Sequence, residues 1–127
     1  MSNQQELFSH FASVLPVSDI ESCRDFYRDK LGFQVNFEWN DPLEYVVLKR
    51  GENVSVHLTK RSDQLKPSLD HITIYVFVHD VDAVYQEFME KDVPITNSIG
   101  NRDYGMRDFD IIDPEGHILS FGKESSR

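Results

Sequence analysis

The chain has 127 residues, 39% of them hydrophobic and 12% aromatic, with 22 acidic against 13 basic side chains and a formal charge of −9. This composition suits one domain of 1–127 with a hydrophobic core, and it excludes a disordered chain and a nucleic-acid partner, which calls for clustered positive charge. No run approaches the roughly 20 apolar residues of a membrane helix. The lone Cys23 and an N-terminus without a signal-peptide pattern point to the cytoplasm.

In chain order, a first strand is expected from about His10 to Val17. Ser18 or Asp19 then caps a helix that carries Ile20, Cys23, Phe26, Tyr27 and Leu31 at helical spacing and stops at Gly32. Cys23 has packing neighbours and no base beside it, so it reads as core and not as a nucleophile. Three strands follow at about Phe33–Trp39, Tyr45–Lys49 and Val54–Thr59, with turns at Asn40-Asp41-Pro42 and Gly51-Glu52-Asn53. Residues 61–70, polar and containing Pro67, read as a linker.

The same order then returns. Laying His10–Glu21 over His71–Asp82 aligns His, Val and Asp, and Ile72, Ile74, Val76 and Val78 give the second strand one β-branched face. A helix from Asp80 to about Asp92 carries Val81, Val84, Tyr85, Phe88 and Met89. Strands at about Ile95–Ser98, Arg107–Ile112 and His117–Phe121 complete the unit, the last two joined by Asp113-Pro114-Glu115-Gly116. The expected fold is α+β: two βαβββ modules, about 10–60 and 71–123, whose sheets combine into one curved mixed sheet around a trough with the helices outside. A concave surface with a few polar groups is the place to seek a ligand.

Val17-Ser18-Asp19 entering a helix, Phe26-Tyr27-Arg28-Asp29-Lys30-Leu31-Gly32-Phe33 closing it, and Asp113-Pro114-Glu115-Gly116 before the last strand resemble the vicinal oxygen chelate superfamily of glyoxalases, bleomycin resistance proteins and dioxygenases. Enzymes of that family hold a divalent metal through His and Glu on the first and last strand of each module. Carried over by spacing, those positions are Ala12, His57, Thr73 and Ser120. One metal ligand of four remains, since alanine donates nothing and hydroxyls are poor ligands beside imidazole or carboxylate. The resemblance is therefore closest to metal-free members of the bleomycin resistance type, which sequester a planar cationic antibiotic, and it implies a homodimer without catalytic residues, metal or cofactor. The alternative is a metal-dependent lyase, isomerase or dioxygenase using His57 with His10 or His71, two residues (about 6.6 Å along a strand) before the vacated positions. His79 and His117, at a helix entrance and a turn, are expected to be exposed.

Strand parity places Tyr75 and Phe77 on the trough face with His57, Thr73 and Ser120. Trp39 reads as an aromatic lid. Tyr104 precedes Gly105 where, by the resemblance, bleomycin-binding relatives contact the drug, so it suits stacking on a flat ring. Asp103, Glu38 and Asp41 are the acids expected at the mouth to attract a cationic ligand. The competing reading of the aromatic stripe is a subunit interface.

Overall fold

In a computed structural model, which describes residues 6–61 and 71–125, both helices begin at an aspartate. Asp19 accepts from the Ser22 amide and Asp80 from the Ala83 amide, each at 3.1 Å, satisfying donors that the first helical turn leaves without partners. The elements are β1 (Ser13–Val17), α1 (Ile20–Asp29), β2 (Gln34–Trp39), β3 (Tyr45–Arg50), β4 (Val54–Lys60), β5 (Ile74–Phe77), α2 (Val81–Glu90), β6 (Ile95–Asn101), β7 (Met106–Ile112) and β8 (Ile118–Glu124). Residues 62–70, most of the expected linker, lie outside the described residues. Gly32, at φ +78°, makes the left-handed turn that releases the chain from α1 into β2.

Each βαβββ unit forms its own four-stranded mixed sheet, in the orders β1-β4-β3-β2 and β5-β8-β7-β6. The outer pairs β1/β4 and β5/β8 are parallel and the rest antiparallel. Two-residue alternation divides every strand between two faces. Leu15, Val17, Val46, Leu48, Val56 and Leu58 on one sheet, and Phe109, Ile111, Leu119 and Phe121 on the other, turn inward with Tyr27, Leu31 and Phe88 into a single core. Met89, expected on the packed face of α2, stays 48% exposed. β6 runs longer than expected, to Asn101, because two register shifts let it bend along β7.

The modules meet on their helix-bearing sides. Tyr27 donates to Asp113 Oδ2 at 2.8 Å, the Ser18 and Asp19 amides donate to Glu115 at 2.9 Å, and Lys30 Nζ donates to the Lys91 carbonyl. Arg50 grips Glu87 through both Nη atoms, at 2.7 and 2.9 Å. This docking overturns the expected exposure of His117, which is only 2% exposed. Asp113 accepts from the Glu115 and His117 amides and from the Tyr27 hydroxyl and meets His117 Nδ1, so the turn folds inward against α1 instead of into water. The docking also divides the expected trough. β1 and β5 each end their own sheet without pairing to one another, and the sheet faces away from the helices lie open.

Candidate functional site

On the first sheet, the row Val14, His57, Val47 and Phe37 and the row Pro16, Thr59, Tyr45 and Trp39 lie on the open face. Val14, Phe37 and Trp39 are each about half exposed, at 51–53%. An open β-face normally carries polar side chains; this one carries rings and a proline. His57 is half-buried beneath them, its Nδ1 2.7 Å from the Tyr45 hydroxyl and its ring edge-on to Tyr45.

On the second sheet the corresponding rows are Tyr75, Ser120 and Asp110, then Phe77, Gly122 and Asp108. Here a carboxylate sits under the rings. Asp108, 1% exposed, accepts from Arg102 Nε at 2.7 Å on Oδ1, and from Tyr75 at 2.8 Å and Tyr104 at 2.7 Å on Oδ2. Burial pushes its carboxyl up, but the three donors outweigh that and hold it below the usual carboxylate range. The partners respond in the opposite sense. Burial and the anion raise the Tyr75 hydroxyl, and the bond to Asp108 raises Tyr104. Gly122 makes the cluster possible: a Cβ there would lie 2.7 Å from Asp108 Cβ and press on the Tyr75 hydroxyl.

The sequence-derived candidates scatter around this arrangement. Tyr75, with Phe77 at 73% exposure, lies on the open face of the second sheet, their rings 5.1 Å apart, and Tyr104 stands 66% exposed at the β6–β7 turn. Trp39 closes the corner of the first sheet beside Tyr45, and His57 belongs to the same face. Thr73 is exposed ahead of β5. Ser120 is in the expected row but fully buried, its hydroxyl donating to the Phe109 carbonyl at 3.4 Å, so it offers no surface. Glu38 is not at a cleft mouth. It faces the helix side and pairs with Arg24 of α1 at 2.8 Å, because parity turns it away from its neighbours Phe37 and Trp39. Sequence reasoning missed Arg102, Asp108 and Asp110. The Asp-Phe-Asp-Ile alternation of β7 carried the signal for both aspartates, since a face opposite two core residues is the open one.

The four positions at which the family's enzymes bind metal supply one imidazole, engaged at Nδ1 by Tyr45, a buried hydroxyl committed to a carbonyl, an exposed threonine and an alanine. That donor set does not fit a divalent ion. His10 and His71 precede β1 and β5 and are exposed, His10 bonding to Ser9, so strand geometry does not carry them to His57. Cys23 is buried and its thiol pushed up by burial and by Asp113 and Glu115, the opposite of an activated nucleophile. A cavity of about 470 Å³ lies at the seam between modules, bordered by Leu31, Phe33, Val76, Phe77, Phe88 and Phe121. Apart from Phe77 it touches none of the candidate residues, and its walls combine core side chains with Arg50, Glu52, Asn53 and His79.

Two βαβββ modules docked through their helices, each presenting an open aromatic sheet face, define a paired-module protein of the glyoxalase type. The chain belongs to the Glyoxalase/Bleomycin resistance protein/Dioxygenase superfamily, whose family model matches residues 7–121. It is 28% identical over 124 residues to a bleomycin resistance protein of Geobacillus stearothermophilus, covering 85% of this chain and 91% of that one. Among solved structures it is similar to a member of the same superfamily from Sphaerobacter thermophilus DSM 20745 (TM-score 0.76, 26% identity, 93% and 98% of the two chains). It also shares its fold with TnmS3, an antibiotic binding protein from Streptomyces sp. CB03234 (TM-score 0.75, 23% identity, 95% and 100%). Among the described residues no helix is long and apolar enough to cross a membrane.

Proposed function

We propose that the protein is a metal-free, small-molecule binding protein that sequesters a planar, cationic antibiotic of the bleomycin type, acting in the cytoplasm as a homodimer. The observation that carries the reading is the pair of open sheet faces. Both are lined with exposed rings where a sheet face in water would ordinarily be polar, and the second holds acids behind its rings. Aromatic faces suit a flat ring system, and an acidic chain attracts a cation. The names of the relatives, a bleomycin resistance protein and an antibiotic binding protein, support the same class. Sequestration needs no bond to be made or broken, in keeping with a metal position whose donors do not fit an ion.

The free edges of the two sheets support the dimer. β1 and β5 are terminal strands, and pairing β1 of one copy with β5 of another gives two continuous eight-stranded sheets. Each sheet then faces Tyr45, His57 and Trp39 of one copy against Tyr75, Phe77 and Tyr104 of the other, which supplies the trough that one chain leaves divided. Isothermal titration with bleomycin tests the reading. Stacking beyond simple burial is worth about 0.5–1.5 kcal/mol per ring, so Tyr104→Ala should weaken binding about 2- to 13-fold, and added salt should weaken it further. Absence of binding, or stoichiometric divalent metal that is lost in His57→Ala, would overturn it in favour of an enzyme.

A further inference from the structure

Tyr75 and Tyr104 come from distant points in the chain, one on the edge strand β5 and the other on the β6–β7 turn, yet both hydroxyls end on the same oxygen, Asp108 Oδ2. The other oxygen takes Arg102 Nε, and Arg102 Nη2 also donates to the carbonyls of Ser98 and Asp108 at 2.7 and 2.9 Å. Asp108 has a side-chain exposure of only 2%, while Tyr104 beside it is two-thirds exposed. A buried carboxylate is costly without partners; here three donors converge on it.

We infer that Asp108 is a positioning residue for the ligand face. By taking both tyrosine O–H protons it locks the Tyr75 and Tyr104 rings in place, so that the site selects ligands by stacking on ring faces and not by hydrogen bonds donated from the phenols. This deepens the proposed ligand class and rests on that reading for its binding arm alone. Three features support it. A tyrosine that donates its O–H to Asp108 has no proton left to donate to a ligand, so outside it offers its ring and only an acceptor oxygen. Asp108 neutralises Arg102 in place, so the arginine adds no repulsion toward a cation while its bonds to Ser98 and Asp108 keep the β6–β7 turn closed. Gly122, the residue beside Phe77 in the register, leaves the room through which the Tyr75 hydroxyl reaches Asp108.

The test has two arms. Without ligand, the absorbance of tyrosinate is followed to high pH in the wild type, Tyr104→Phe and Asp108→Asn; the charges facing Tyr104 are Asp108, Arg102 and Asp110. The step removed by Tyr104→Phe should lie above the ordinary tyrosine range, and Asp108→Asn should move the Tyr104 and Tyr75 steps down. With bleomycin as the probe, Tyr104→Phe and Asp108→Asn should each weaken binding about 3- to 10-fold, and the double variant no more than the weaker single one, because the hydroxyl acts through Asp108. If the two losses multiply, the hydroxyl touches the ligand directly and the inference is overturned. It is also overturned if the Tyr104 step lies in the ordinary range, a result that stands even where Asp108→Asn does not fold, since Tyr104→Phe changes an exposed ring. A wild type that binds no bleomycin sinks the proposed function, while the titration arm still decides the positioning role.

Discussion

Replacing Gly122 with alanine is the sharpest perturbation of this arrangement. The new methyl would sit 2.7 Å from Asp108 Cβ, where carbon atoms in contact keep about 3.5–4.0 Å, and it would press on the Tyr75 hydroxyl. Either the β7 and β8 backbones separate or the hydroxyl leaves Asp108. The first route is overpacking, at about 1–3 kcal/mol. The second forfeits a hydrogen bond to a charged group, worth about 1.5–3 kcal/mol. The two overlap, since moving the ring relieves the clash, and the expected loss is about 2–4 kcal/mol. Urea denaturation reads this directly, and thermal melting should fall by roughly 3–5 °C for each kcal/mol in a domain of this size. Tyr75→Phe supplies the control. Without the hydroxyl the methyl has less to displace, so Gly122→Ala should cost at least about 1 kcal/mol less in that background. A variant within about 0.5 kcal/mol of wild type, or an equal cost in both backgrounds, would refute the close approach.

Tyr27→Phe should lose about 1–3 kcal/mol, because it strips one donor from the buried Asp113 at the junction of the modules; denaturation midpoints measure it. By contrast, Glu87→Gln at the partly exposed Arg50 pair, whose side chains are 39% and 32% exposed, should lose under about 1 kcal/mol, and less still in high salt. Acid should unfold the protein through Asp108 and Glu115 in particular. Both carboxyls are held below their ordinary range when folded, Glu115 because the Ser18 and Asp19 amides outweigh its burial. Their contribution is therefore fully present above an ordinary carboxyl pKa of about 4 and is lost as pH falls through the lower folded values. Glu115→Gln should flatten that limb of the stability–pH curve, and a curve unchanged below pH about 4 would contradict the assignment.

The fold was legible because its signals are local and repeated. Asp19 and Asp80 cap helices whose apolar spacing is plain, and the Ile74, Val76 and Val78 stripe announces a face. What sequence could not give was the side on which the modules dock. His117 follows a Pro-Glu-Gly turn that reads as exposed in isolation, and only the approach of α1 from residues nearly ninety positions earlier buries it. Glu38 departs from the expected mouth for a simpler reason. It stands between Phe37 and Trp39 on β2, and successive strand residues point to opposite faces. Strand parity singles out Tyr75 and resemblance Tyr104, and the structure brings their hydroxyls to one oxygen. Their common partner was not legible, because a carboxylate that gathers three donors from β5 and the β6–β7 turn is a property of the folded sheet.

Asp108 and Asp110 show how one strand can divide two tasks. They are two residues apart on β7, on the same face, about 6.6 Å along the strand. Asp108 is saturated by Arg102, Tyr75 and Tyr104, and its charge is met inside the protein. Asp110, opposite Ser120 in the next row, is half-buried, and its bond is with the neutral Asn97 at 3.4 Å. Under the proposed reading the first carboxylate supplies geometry and the second supplies charge. The order matters physically. A buried carboxylate that gave up its donors to greet a cation would lose several charge-assisted bonds for one, whereas an acid already partly hydrated gives up little on pairing. The rings are therefore fixed by the group that the ligand cannot reach, and the cation is left to the group that it can.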